Sequence, residues 1–248
     1  MALIKSGNLN DFSVSPKESI LQHKSYFRNY KNFNVLKEIT RTVEPDSFEL
    51  ITSNESRGLT LKSIFLTEGF EGMLGNLFNT TNEVYFIAWA WDLSGKSIIL
   101  YPGEGFKPED VMIRLKAGRL REFIGEGINL FPKRKIKGGL AIRIQIWESD
   151  QEIRNFGKTL EETANTIQNS QLNNLLSLIS TASGVSGATI TLIEQASIEL
   201  AKLIGTILKA NGNDYVDFFE GYYASDDTWV KEEEEYEGNS SKITLIKY

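Results

Sequence analysis

Acidic side chains offer most of the chemistry in a chain with one histidine and no cysteine. Two acidic groups bracket one segment: Trp147-Glu148-Ser149-Asp150 before it and Asn213-Asp214-Tyr215-Val216-Asp217 after it. Asp150, standing where a helix begins, also has the charge that stabilises a helix N-terminus through its dipole. Other acidic pairs, Glu104 with Asp110 and Glu122 with Glu126, have the residue types of a glycosidase acid and base, but their spacing is equally that of surface charges. The only histidine, His23, lies in a polar stretch, and no Gly-x-Ser-x-Gly elbow or His-Glu-x-x-His pair occurs. The common serine and metal hydrolase routes are therefore closed. Ser94-Gly95-Lys96-Ser97 imitates the end of a phosphate loop but lacks its earlier glycine and precedes a strand, so it reads as a hairpin turn.

These groups need a scaffold that brings them together. Leu140, Ile142, Ile144 and Ile146 alternate with Arg143 and Gln145, which is the period of a strand. A helical period of three and four fills residues 151–210, and extended structure resumes around Tyr215 to Tyr223. One stripe runs from Ile153 to Ile179 as a single first helix. A second runs from Leu192 to Leu208, and Ser183-Gly184-Val185-Ser186-Gly187 turns the chain between them. The spacing predicts further strands around 48–51, 59–66, 83–91, 96–101, 111–116, 123–131 and 242–248. The acidic run 231–238 reads as a loop. Residues 84–91 are apolar on both faces, so this strand is covered on both sides, and the helices are expected to pack against it. The fold class is mainly β with an α insertion: an antiparallel β-sandwich of about eight strands, with a long two-helix hairpin between the last strands. Residues 1–45 form a polar N-terminal arm, and residues 46–248 form the sandwich domain with the 151–210 insertion.

A net charge of -6 excludes a sequence-independent nucleic-acid binder, which requires a basic footprint. The N-terminus lacks the apolar run of a secretory signal. The most apolar helix contains Glu194, Glu199 and Lys202, each costing about 2.5–3.5 kcal/mol at a bilayer centre, so a spanning helix is not expected. The expectation is a soluble protein, cytoplasmic or exported by a signal-independent route.

At the two ends of the insertion the chain resembles a C-two domain, the calcium-dependent phospholipid-binding sandwich. Leu140 to Asp150 looks like the family's alternating strand ending in an acidic-x-Asp pair. Asn213-Asp214-Tyr215-Val216 is similar to its re-entry segment, and Asn82-Glu83-Val84-Tyr85-Phe86 to another strand entry. The resemblance implies calcium as the cofactor, with Glu148, Asp150, Asp214 and Asp217 among its oxygen ligands. A calcium cage takes six to eight oxygens, whereas here a helical hairpin replaces a ligand loop, and Glu68, Glu71, Asn79 and Asn82 stand where the family uses aspartates. The expected function is a non-enzymatic interaction module for a protein or lipid partner, its calcium linkage subsidiary. Alternatives are a secreted effector or toxin-like cargo protein whose hairpin engages a membrane, and a carboxylate-based hydrolase.

Overall fold

A computed structural model describes residues 3–12, 47–67, 82–103, 105–149, 153–179 and 185–248. His23 and most of the N-terminal arm lie outside the described residues, as do Glu68, Glu71, Asn79, Glu104 and Asp150.

The chain is mainly antiparallel β, in two sheets. The first has the order β1 (Leu3–Gly7), β11 (Asn213–Tyr223), β9 (Leu140–Ser149), β4 (Asn82–Asp92) and β5 (Ile99–Tyr101), with β6 (Ile113–Leu115) also pairing β4. The second has the order β12 (Glu232–Glu237), β13 (Ser241–Lys247), β3 (Arg57–Leu66) and β7 (Leu120–Glu122), with β8 (Ile128–Arg134) also pairing β3. A two-stranded piece joins β2 (Ser47–Phe48) to β10 (Val185–Ser186). The strands exceed the eight expected because β5, β6 and β7 are three-residue pieces and the arm contributes β1.

The strands flanking the insertion lie side by side, with Ile144 opposite Phe219 and Gln145 opposite Phe218. The alternation in β9 decides what each face does. Ile142, Ile144 and Ile146 join Leu59, Leu61 and Ile64 of β3 in a core between the sheets. The opposite face carries Arg143, Gln145 and Trp147, all buried beneath the helices. β4 does the same with Val84 and Phe86 on one side and Tyr85, Ile87, Trp89 and Trp91 on the other. Each such residue contributes about 1.5–3 kcal/mol when fully buried, so two apolar faces on one strand fix it as the centre of the molecule.

The α-helices among the described residues are α1 (Pro108–Val111), α2 (Ile153–Gln168), α3 (Gln171–Ile179) and α4 (Gly187–Ala210). The single first helix of the sequence reading is instead two. Asn169 turns back onto the Asn165 carbonyl through its side chain, and the Ser170 hydroxyl accepts the Asn173 amide at 3.2 Å, which caps a new helix. α4 begins with Ser186 accepting the Thr189 amide and ends at Asn211 and Gly212, where φ is +74°. It lies along β9: Glu194 meets Arg143, the Ala201 carbonyl accepts from Gln145 Nε2 at 2.8 Å, and Gly205 sits over Trp147.

The acidic run expected as a loop is the edge strand β12. Glu is a poor strand former, but pairing decides the matter here. Glu232 and Glu234 reach Lys247 at 3.1 and 2.6 Å, and Glu237 reaches Lys242 at 3.2 Å, so the negative run is held against lysines of β13. The expected strand 123–131 is likewise shorter. Gly125 and Gly127, with φ of +67° and +90°, make a turn before β8 begins at Ile128.

Candidate ligand-binding cleft

Between the two sheets, at the edge formed by β5 and β6, a cleft of about 500 Å³ opens to solvent. Its walls come from short elements held in place by local chemistry. Pro108 occupies the first turn of α1, where its fixed φ suits a helix start, and fully buried Val111 anchors that turn to the core. Glu109 and Asp110 thereby stand exposed at the rim. On the opposite wall, Lys62 holds the turn after β7. Its ammonium donates to the Gly125 carbonyl at 3.0 Å and pairs with Glu122 at 2.9 Å, while the Phe123 amide donates to the Lys62 carbonyl. Gly127 is required there, because a Cβ would stand 2.9 Å from the Leu61 carbonyl carbon.

The floor is Tyr101, Met112, Ile113, Phe123 and Ile128, and the rim carries Glu83, Glu109, Asp110, Arg114 and Arg121. Tyr101 is 8% exposed and stacks on Phe86, with ring centroids 4.4 Å apart. Phe106 meets its edge at 5.3 Å. Burial pushes the Tyr101 hydroxyl up to about 12, with the Asp110 charge adding to the effect. That hydroxyl is a neutral donor and acceptor at neutral pH and hydrogen-bonds no other described group. Arg114 Nε donates to Glu83 at 3.2 Å, so these two rim charges neutralise each other. Arg121 sits opposite Ile64, whose side chain belongs to the core between the sheets, so Arg121 shares that inward face. It has no ion-pair partner among the described residues.

The residues singled out at the strand junction are placed differently. Glu148 and Asp214 are cross-strand partners, Glu148 buried and Asp214 exposed. Asp217 follows a register shift in β11 and is fully buried. Its Oδ1 accepts the Asn239 amide at 2.9 Å. Its Oδ2 accepts the Ser240 amide at 2.9 Å and the Ser241 hydroxyl at 2.6 Å. Burial pushes the Asp217 carboxyl above the usual range, and these donors pull it partly back. Asp217 thus ties the first sheet to the β12–β13 turn. Its oxygens already receive three donors, so Glu148, Asp214 and Asp217 do not by themselves make a calcium cage. Among the described residues, no three acidic, histidine or cysteine side chains come together at metal-binding spacing.

Of the acidic pairs, Asp110 lines the cleft, whereas Glu122 and Glu126 are engaged by Lys62 and Lys231, each at 2.9 Å. The Lys231 hydrogen bond lowers the Glu126 carboxyl, the opposite of what a general acid needs. Sequence reasoning missed Tyr101, Phe123 and Arg121. The available signals were the Pro at residue 108, which marks a helix start, and Arg119-Leu120-Arg121, which alternates as a strand.

A second region rich in charge lies between the helices and the first sheet. Arg143 donates to Glu194 at 2.8 Å and pairs with Glu220 at 2.7 Å, and its guanidinium lies 5.0 Å from the Trp91 ring centre. Desolvation raises the Glu194 carboxyl, and Arg143 opposes that rise. The arrangement fastens α4 onto the sheet. No helix among the described residues is long and apolar enough to cross a membrane.

Comparison with family models, curated proteins and solved structures returned no match.

Proposed function

We propose that the chain is a non-enzymatic interaction module: a β-sandwich, as the C-two resemblance implies, with a helical layer on one face and a partner-binding cleft between its sheets. One observation carries this reading. The cleft holds an open apolar floor beside polar groups that have no hydrogen-bond or ion-pair partner among the described residues, the Tyr101 hydroxyl and the Arg121 guanidinium. Such a concave site with a few convergent polar groups is the ordinary form of a ligand pocket. The partner is a protein or a lipid that presents a small polar group to the cleft. Phe106 and Ile124, 51% and 100% exposed, lie in the segments that build its mouth and offer apolar surface to the rest of that partner.

The geometry favours binding over catalysis. Glu109 and Asp110 are adjacent on one helical turn, so their side chains diverge by about 100° and do not flank a single bond. Glu83 is engaged by Arg114. A hydrolase acting through two carboxylates needs both aimed at one substrate atom pair.

The test is an NMR titration of labelled protein with a cocktail of amino acids, nucleotides, short-chain phosphates and neutral saccharides. Shifts clustered at Tyr101, Arg121 and Phe123 are expected. Shifts confined to the exposed helical face around Lys158 and Glu162, or none at all, would remove the proposal.

A further inference from the structure

The cleft's polar groups also point to the chemistry of what it holds, an inference that rests on the binding reading above. We infer that the ligand is a neutral saccharide, seated with an apolar ring face on the cleft floor and its hydroxyls on Asp110, Arg121 and the Tyr101 hydroxyl.

Charge sets the first limit. With Glu83 and Arg114 paired, the remaining rim charges among the described residues are Glu109 and Asp110 against Arg121. A phosphate, sulfate or nucleotide would meet two carboxylates for one guanidinium. A cationic side chain would meet Arg121 on the inner face of the second sheet. A neutral ligand meets no like charge on either side, and if it carries hydroxyls they replace the water lost from each rim charge, as an apolar ligand could not.

Hydrogen-bonding capacity sets the second. A carboxylate only accepts, a guanidinium only donates, and a phenol does both. A sugar hydroxyl also does both, so neighbouring hydroxyls can donate to Asp110 while accepting from Arg121. Planar carboxylates and guanidinia can each engage two such groups side by side. The Tyr101 hydroxyl is the strongest pointer: its residue is more than nine-tenths buried, lines the cleft, and finds no hydrogen-bond partner among the described residues. Burial also keeps it protonated, so it remains available as a donor.

The floor sets the third. Phe123 is half-buried, and with Met112 and Ile128 it gives an apolar surface for the C–H face of a pyranose ring. A space of about 500 Å³ accommodates one or two sugar residues, and its open side lets a longer glycan continue outward. The glycan can belong to a protein or to a lipid, because both present the same terminal hydroxyls.

Saturation-transfer NMR with glucose, galactose, mannose, fucose and N-acetylglucosamine tests the inference on the full chain. At least one of these sugars is expected to bind, with a dissociation constant on the order of 1 mM for a single residue. Tyr101→Phe keeps the stack on Phe86 and removes only the hydroxyl; about a fivefold to tenfold loss of affinity is expected. Arg121→Ala should cost tenfold or more, and Lys158→Ala on α2 should leave binding unchanged. Circular dichroism melts of each variant separate lost binding from lost folding. No bound sugar, or binding indifferent to Tyr101→Phe and Arg121→Ala, would overturn the inference. If amino acids or phosphates shift the cleft signals while every sugar fails, the saccharide inference falls and the binding reading stands. If nothing reaches the cleft, both fall. Vesicles with and without a glycolipid carrying the bound sugar, and a glycoprotein before and after enzymatic deglycosylation, then distinguish the two sources.

Discussion

The strand junction and the cleft use the same kinds of side chain to opposite ends. At the junction Asp217 is fully buried, and its oxygens receive two backbone amides and a serine hydroxyl. At the cleft Asp110 stands exposed beside a tyrosine hydroxyl and an arginine that nothing in the described protein engages. The helix layer repeats the first pattern with a charge in place of neutral donors, because Arg143 is shared by Glu194 and Glu220. A polar group whose hydrogen bonds are completed internally holds elements together. One left with open valences beside a cavity is free to meet a ligand. The contrast predicts a separation of effects: substitutions at the sealed sites lower stability and spare binding, and those at the cleft do the reverse.

The largest effect is expected at Arg143. Arg143→Met would leave Glu194 buried without its counter-charge, and breaking a buried pair in this way costs about 3–5 kcal/mol. Chemical denaturation should show a loss of that size, and a loss under about 1 kcal/mol would mean that the Arg143 ion pairs do little to fasten the helix layer.

Next comes Asp217→Asn. The amide keeps one acceptor oxygen but turns an N–H₂ toward donors, so about 2–3 kcal/mol should be lost. Its pH dependence follows from burial. Because the folded Asp217 carboxyl is raised, the native state prefers it protonated relative to the unfolded chain. That contribution is present in full below the unfolded value, about 4, and is lost as pH rises through the folded value. The deficit of the asparagine variant should therefore widen as pH falls through the raised value toward about 4. A deficit that narrows over that window would reverse the assigned direction.

A smaller effect is expected from calcium. A ligand that binds the native state raises its melting temperature by mass action. With the Asp217 oxygens committed to the Asn239–Ser241 turn, millimolar calcium should leave the melting temperature unchanged. A rise abolished by chelator would restore Glu148, Asp214 and their neighbours as a metal site.

The sequence showed more of the scaffold than of the site, for physical reasons. Ile142, Ile144 and Ile146 alternate strictly, so the pairing of β9 with β11 and the burial of β4 on both faces were readable from local period. The break between α2 and α3 was not, because the apolar stripe continues in phase past Asn169 and Ser170, whose capping hydrogen bonds only a structure displays. Five glutamates hid β12, whose strand character depends on lysines of β13. The donors that Asp217 accepts from lie 22–24 residues away in a turn, so the local sequence shows only its acidic neighbours. The cleft is assembled from Tyr101, Asp110, Arg121 and Phe123, on a strand, a one-turn helix, another strand and a turn. No periodicity links them, and of the four only Asp110 belongs to an acidic pair visible in the sequence.

The most direct measurement pairs stability with binding in Arg121→Ala. An exposed arginine without an ion-pair partner among the described residues should change unfolding free energy by no more than about 0.5 kcal/mol. Ligand-induced NMR shifts at Tyr101 and Phe123 should nevertheless vanish at concentrations that saturate the unsubstituted chain. If those shifts persist with unaltered affinity in the folded variant, the cleft is not where this protein meets its partner.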